Sequence, residues 1–399
     1  MDLLPVPGIR CATVQAGVRK ANRDDLVLFE LAEGATTAAL FTRNRFRAAP
    51  VRLAEQHLDV LAPRWLLINT GNANAGTGAP GDADALACCA ALAQLAGVPT
   101  AAVLPYSTGV IGERLRADRI IDALPAAFAA LARDGWNRAA GGIMTTDTVP
   151  KGLSLEVADP RGDGAWTLTG ISKGAGMIRP DMATMLAFVA TDADVAPELL
   201  RAMLVRAVDR SFNRITVDGD TSTNDAVTLV ATGARGERLE RADSDAAQAL
   251  EAGLVELCRY LAQAIVRDGE GATRFVTVQV DGAATAREAL DVAYTIAGSP
   301  LVKTALFAGD PNWGRLLAAI GRAGIEDLDV DDVSLWLEDV AIAVNGGVAD
   351  GYREEDGARV MARPEILIRV DLGRGETSET VWTTDLSYDY VKINAEYRS

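Results

Sequence analysis

Histidine is nearly absent from these 399 residues: His57 is the only one. A Ser-His-Asp or Cys-His arrangement would have to use it. It lies in RLAEQHLDV, a helical-looking segment with no nucleophile motif beside it, where a surface or capping histidine is expected. Cysteine is scarce too. Cys11, Cys88, Cys89 and Cys258 form no C-x-x-C pair and no zinc-ligand spacing, and the alanine-rich run around Cys88 and Cys89 reads as a helix that keeps them inert. No run of about 18 apolar residues exists, so no membrane span is expected. The start, MDLLPVPGIR, lacks the basic and apolar stretches of a signal peptide. Basic charge is in deficit, with 39 Lys and Arg against 55 Asp and Glu and a formal net charge of −16. That balance excludes the basic footprint of a nucleic-acid-binding surface and suits a soluble cytoplasmic protein. Aromatics are only 5% of the chain, so the core is expected to be aliphatic, with small residues and close backbone approaches. Neither a repeat of 20 to 50 residues nor a low-complexity linker is present, and the chain reads as one continuous body.

Lysine is as rare as aromatics are few: Lys20, Lys151, Lys173, Lys303 and Lys392 are all there are. Lys173 opens the most informative stretch, KGAGMIRPDMATML, residues 173 to 186. Gly174 and Gly176 permit backbone angles closed to other residues, and Pro180 stops any helix. An apolar, strand-like run begins at Met185. Thr184 therefore stands where an irregular loop meets a strand, which is a good place for an exposed nucleophilic hydroxyl. Threonine is also a common β-former, and strand propensity alone accounts for it there. With one histidine, a base for such a nucleophile has to come from elsewhere. The α-amine of an N-terminal threonine, with an ordinary pKa near 8, can serve.

The rest of the chain alternates strand and helix patterns, which predicts an α/β protein with sheets layered between helices. LVLFEL (26–31) and TTAALFT (36–42) read as paired strands turning at Glu33-Gly34, followed by an exposed edge strand carrying Arg43, Arg45 and Arg47. WLLINTGNANAGTGAPGDADALACCAALAQLAGV is strand, loop and helix, with Asp82 or Asp84 as the expected cap. It lacks the lysine and spacing of a phosphate loop. In VLPYSTGVIGERLRADRIIDAL, Thr108 and Gly109 are placed in the turn before a helix, where free backbone N–H groups serve either as a plain cap or as an oxyanion hole. Thr145, Thr146 and Thr148 form a hydroxyl cluster in a turn. Asp218, Asp220 and Asp225 lie in a loop without calcium-loop spacing, read as structural. Glu270 sits in a Asp-Gly-Glu-Gly loop, either as an exposed acid or as a partner for a cation. The segment from Ala286 to Gly324 is expected as helix, turn, helix. A strand-rich C-terminal part follows, and its polar tail would be expected to fray.

Several of these blocks together resemble the ornithine acetyltransferases, also called glutamate N-acetyltransferases. The blocks are KGAGMI with its proline and MATML, STGVIG (107–112), NANAGTG (72–78), GGIMTTDTVPKG (141–152), DPNWGR and the tail, and they span essentially the whole chain. One departure is clear: Gly76 stands where the family motif has cysteine, so a catalytic part for that position is not expected. The resemblance implies an α-β-β-α sandwich of the N-terminal-nucleophile kind. It also implies self-cleavage between Ala183 and Thr184, giving an α chain of residues 1–183 and a β chain of 184–399 that form an α2β2 heterotetramer. By the same resemblance, Thr184 is the nucleophile and Thr108 with Gly109 the oxyanion hole. Thr146 (with Thr148 close behind), Lys173, Thr184, Glu270, Asn394 and Ser399 bind substrate, the usual final threonine being serine here. The implied reaction moves acetyl from N-acetylornithine to glutamate, without metal or organic cofactor. Some members also take acetyl-CoA as donor, and the sequence leaves that open. An aminopeptidase or amidase using the same threonine, or a binding protein that never cleaves, is the alternative.

Overall fold

The computed structural model describes residues 1–162, 164–179 and 185–396. The chain divides into two compact units: residues 1–213 with 220–265, and residues 214–219 with 266–399.

In the first unit the strands are β1 (Ile9–Val14), β2 (Leu26–Leu31), β3 (Thr36–Phe41), β4 (Trp65–Asn72), β5 (Val103–Val110), β6 (Lys151–Ala158), β7 (Ala165–Lys173), β8 (Leu186–Val195) and β9 (Ala226–Leu239). The helices are α1 (Ala49–Val60), α2 (Gly78–Ala96), α3 (Ala117–Ala129), α4 (Trp136–Gly142), α5 (Pro197–Asp209) and α6 (Asp245–Arg267). Two sheets result, one ordered β1-β2-β4-β5 and one ordered β3-β9-β8-β7-β6. Alternation along β2 explains how they stack. Val27, Phe29 and Leu31 point into a core shared with Leu186, Phe188 and Ala190 of β8. Leu26 and Leu28 point the other way, into a core shared with Leu92 of α2 and Leu124 of α3. A strand covered on both faces needs no polar residues, hence the unbroken LVLFEL run. On the far side, α6 packs so closely on β7 that a side chain at Gly170 would meet Leu257 at 2.6 Å. The four-layer α-β-β-α order expected from the resemblance is thus present in this unit. Three aromatics meet between its sheets, with Phe188 5.6 Å from Phe29 and 5.0 Å from Tyr106, ring to ring.

The second unit contains β10 (Phe275–Ala283), β11 (Ser334–Leu337), β12 (Val340–Val344), β13 (Gly347–Val348), β14 (Glu365–Asp371) and β15 (Thr377–Thr384), ordered β13-β12-β11-β14-β10-β15. Its helices are α7 (Ala286–Ala297), α8 (Pro300–Ala308), α9 (Trp313–Gly321), α10 (Glu354–Met361) and α11 (Tyr388–Ala395). Val276, Val278 and Val280 of β10 share a core with Val292 and Ile296 of α7 and Ile320 of α9.

Some local expectations are overturned. β2 and β3 are no hairpin. Both neighbours of β2 are taken by β1 and β4, so the chain crosses to the other sheet and β3 pairs with β9. Arg43 to Arg47 lie in a loop rather than a strand, and Arg47 reaches Glu55 at 2.6 Å. Helix α2 starts at Gly78, ahead of Asp82 and Asp84, and these instead pair with Arg52 and Arg114. Between Ala286 and Gly324 there are three helices, because Ser299 and Asn312 each cap a new one. His57 is buried, with Nδ1 2.7 Å from the Val103 carbonyl oxygen, so it ties α1 to β5.

Candidate functional site

Gly71 and Gly109 set the first part of the site. They face each other where the parallel strands β4 and β5 end. Gly109 takes φ 135°, and a Cβ there would lie 2.3 Å from the Gly71 carbonyl carbon, so only glycine fits. Thr108 and Gly109 therefore belong to a strand end. Helix α3 begins only at Ala117, which replaces the expected placement at a helix N-terminus. Thr108 is buried, and Lys173, the last residue of β7, donates from Nζ to Thr108 Oγ1 at 3.2 Å.

Three further strand ends and loops converge on Lys173. Asp147 accepts from the Gly174 N–H at 2.7 Å, the Thr145 N–H at 2.9 Å and Lys151 Nζ at 2.6 Å. Burial raises its carboxyl, but the charges of Lys173 and Lys151 and these hydrogen bonds outweigh that and bring it to about 2. Asp225, at the entry to β9, accepts from the Met185 N–H at 2.9 Å through Oδ1. Burial pushes its carboxyl well above the usual range, against the opposing pull of that N–H, of Lys173 and, more weakly, of Ser222. The glycine-rich loop after Lys173 uses its freedom at Gly174 (φ 151°), and Met177 (φ 56°) is left-handed where no glycine stands.

The second unit brings together another expected pair. Glu270 is buried and accepts from Asn394 Nδ2 at 2.8 Å. Up to Glu396 the tail is helical, not frayed as composition alone suggested, because α11 is tied down at its start. Ser387 caps it and donates to the Gly271 carbonyl at 2.7 Å, and Tyr390 donates to Asp218 at 3.2 Å. A side chain at Gly271 would meet the Tyr390 nitrogen at 2.5 Å, so the Asp-Gly-Glu-Gly loop owes its second glycine to the docking of α11.

Thr146 is half-buried in the bend between α4 and β6, and Thr148 is exposed. Ala183, Thr184 and Ser399 lie outside the described residues. The structure thus joins Thr108 to Lys173 and Glu270 to Asn394. The sequence reading missed Asp147 altogether and took Asp225 for part of a structural loop. A signal for Asp147 was available, since it is the one carboxylate amid Thr145, Thr146 and Thr148. The cysteines are buried, and burial raises the thiols of Cys88 and Cys258 to about 12, which leaves them unreactive. Among the described residues there is no cluster of His, Cys, Asp and Glu fit to hold a metal ion, and no helix long and apolar enough to cross a membrane.

Comparison with known proteins gives a consistent result. An arginine biosynthesis bifunctional protein from Psychrobacter arcticus is 56% identical over 398 residues, covering 100% of this chain and 97% of that one. The solved arginine biosynthesis bifunctional protein from Bacillus halodurans is 40% identical with a TM-score of 0.50, covering 52% of this chain and 97% of that chain. A solved ornithine acetyltransferase from Mycobacterium tuberculosis, complexed with ornithine, is 36% identical with a TM-score of 0.40, over 44% of this chain and 92% of that one. The model of the ArgJ family matches residues 10–399, and the chain belongs to the ArgJ family.

Proposed function

We propose that Thr184 cuts the chain after Ala183 and, once freed as an N-terminus, carries acetyl from N-acetylornithine to glutamate. Membership of the ArgJ family makes the chain an acyltransferase of arginine biosynthesis. The observation that carries the residue-level reading is the approach of Lys173 to Thr108 at 3.2 Å, on the strand paired with β8, just before which Asp225 holds the Met185 backbone.

An amide acetyl is a poor acyl donor, and a covalent intermediate splits the transfer into two easier steps. Thr184 Oγ attacks the acetyl carbonyl, and its proton passes to the Thr184 α-amine. The amine hands that proton to the departing ornithine nitrogen as the C–N bond breaks. Glutamate's amine then attacks the acetyl ester, and a proton it loses passes through the α-amine to Oγ as the ester C–O bond breaks. Thr108 and Gly109 face the oxyanion, where one donor is worth roughly 10²–10³ in turnover. By the family resemblance, Lys173 and Glu270 are the charges that complement the carboxylate and ammonium of the amino acid, and Thr146, Asn394 and Ser399 are further substrate-binding residues.

The same strand pairing supports a cut chain that stays together. The proposed break falls inside the first unit, between β7 and β8, which pair from Leu168–Thr191 to Lys173–Leu186, and β3 pairs with β9 across the same divide. The solved B. halodurans relative is a chain about half as long as this one, judged by its coverage, which suits a product of such a cut. We extend the proposal to an α2β2 assembly of the products in the cytoplasm. The word bifunctional in the relatives' names supports a second activity, acetyl-CoA-dependent acetylation of glutamate at the same threonine.

The test supplies glutamate with either N-acetylornithine or acetyl-CoA and measures N-acetylglutamate, alongside intact mass. Transfer with masses of residues 1–183 and 184–399 is expected. Free acetate released without glutamate points instead to an amidase, and an active uncut chain overturns the N-terminal-threonine mechanism.

A further inference from the structure

One amide brackets the corner formed by Thr108 and Gly109. Asn224 is buried just before β9, a strand of the other sheet of this unit. Its Nδ2 donates to the Ser107 carbonyl at 2.8 Å and to the Ala73 carbonyl at 2.6 Å. Its Oδ1 accepts from the Thr223 hydroxyl at 2.6 Å. Ala73 in turn donates its N–H to the Val110 carbonyl at 2.9 Å. The backbone is therefore held at Ser107, immediately before Thr108 and Gly109, and at Val110, immediately after them. The arm that carries Asn224 is itself anchored, because the Ser222 carbonyl accepts from the Thr42 hydroxyl at 2.8 Å and the Thr223 carbonyl from the Ala48 N–H at 2.9 Å.

The residue type matters. Both carbonyls only accept, so a group between them has to donate twice from one atom. A primary amide nitrogen carries two N–H groups, a hydroxyl one and a carboxylate none. The partners also settle which way the amide faces, since Nδ2 meets two acceptors and Oδ1 a hydroxyl. A peptide unit is planar, so fixing the Ser107 carbonyl fixes the direction of the Thr108 N–H in the same plane. Gly109 follows at φ 135°, in a backbone region that persists where the surroundings determine it. Among the described residues β5 has one strand neighbour, β4, and the amide from the other sheet supplies a further tie.

We infer that Asn224 is a positioning residue for the oxyanion hole, setting the direction of the donors at Thr108 and Gly109. Its own N–H groups are both engaged by carbonyls, so it acts through that backbone. The inference rests on the oxyanion reading of Thr108 and Gly109 above.

Asn224→Asp, with nearly the same shape and no donors, and Asn224→Ser, with one donor, test this in the full chain, alone and combined with Thr108→Ala. Turnover and KM are measured well below the melting midpoint, with kcat taken per cleaved chain counted by intact mass. Expected in Asn224→Asp is a kcat about 10- to 100-fold lower, the scale of a group misplaced by about 1 Å, with KM within about threefold of wild type. A smaller loss is expected in Asn224→Ser, which gives the same comparison if the buried carboxylate keeps the other variant from folding. With Thr108 already replaced, the Asn224 change is expected to cost at least threefold less than it costs alone, since the two act through one corner. A kcat within twofold of wild type in the single Asn224 variants overturns the inference. So does a fully multiplicative loss in the double variant, which makes Asn224 a fold residue acting apart from Thr108. Unchanged turnover in Thr108→Ala defeats the oxyanion reading instead.

Discussion

Asp147 and Asp225 act on the same lysine from two sides, and both are buried, yet their carboxyl groups move in opposite directions. Asp147 receives three donors, one of them the Lys151 ammonium, and is held near 2. Asp225 receives the Met185 N–H and is pushed well above the carboxylate range. Burial raises both. The difference comes from how many hydrogen bonds and positive charges each site supplies against that burial. It teaches that depth alone does not set charge in this site. The Asp147 corner supplies enough donors and positive charge to keep a buried carboxyl ionised, and the Asp225 corner does not.

The largest expected effect is at the proposed nucleophile. Thr184→Ala is expected to leave one band on a denaturing gel and no acetyl transfer; two bands from the variant would remove Thr184 from the cleavage. Next in size is Asp147→Ala. Lys151 and Asp147 side chains are 1% and 0% exposed, so removing one partner strands a buried charge, at a cost of about 3–5 kcal/mol. Denaturant unfolding of the variant would measure it, and a loss under 1 kcal/mol would contradict the ion-pair reading. Thr108→Ala is expected to lower turnover about 100-fold in a folded enzyme, with unchanged turnover counting against the oxyanion role. Glu270→Gln keeps the Asn394 contact geometry but removes the charge. Binding of a cationic amino acid is expected to weaken about 10-fold, and that of a neutral analogue much less, as calorimetry can compare.

The pH dependence of stability separates the two carboxylates by sign. Asp147 has a folded value below its unfolded one, so the native state binds fewer protons. Its stabilisation is present above about 4 and fades as pH falls toward 2. Asp225 has a raised folded value, so its contribution is full below about 4 and is lost as pH rises through the folded value. Asp147→Asn is therefore expected to flatten the acid limb of a melting-temperature profile. Asp225→Asn is expected to flatten the decline above pH 4. Profiles that change alike in the two variants would erase the distinction.

Much of the architecture could be read from the residues in order. The alternation in LVLFEL, VTLVATG and FVTVQVDG marks strands because side chains alternate faces and both faces are covered, and helical spacing marks α5 to α7. Thr108, Lys173, Glu270 and Asn394 were legible through motif resemblance, and the structure joins them in two pairs. Partners were harder to read than elements. β2 and β3 are five residues apart in sequence and belong to different sheets, because pairing depends on which edges other strands already occupy. His57 looked like a surface residue because a helical periodicity does not say which face meets a neighbouring strand.

By itself, then, the order of residues determined the layered α/β class and the family. Each of these depends on local propensity, on period and on a long shared motif. The tertiary structure alone decided that Asp147 is a charged hub, that burial pushes the Asp225 carboxyl up, and that Thr108 and Gly109 crown a strand instead of starting a helix. Those facts come from contacts between segments 27 to 65 residues apart and from the water that their packing expels, and neither quantity is written in the spacing of residues along a chain.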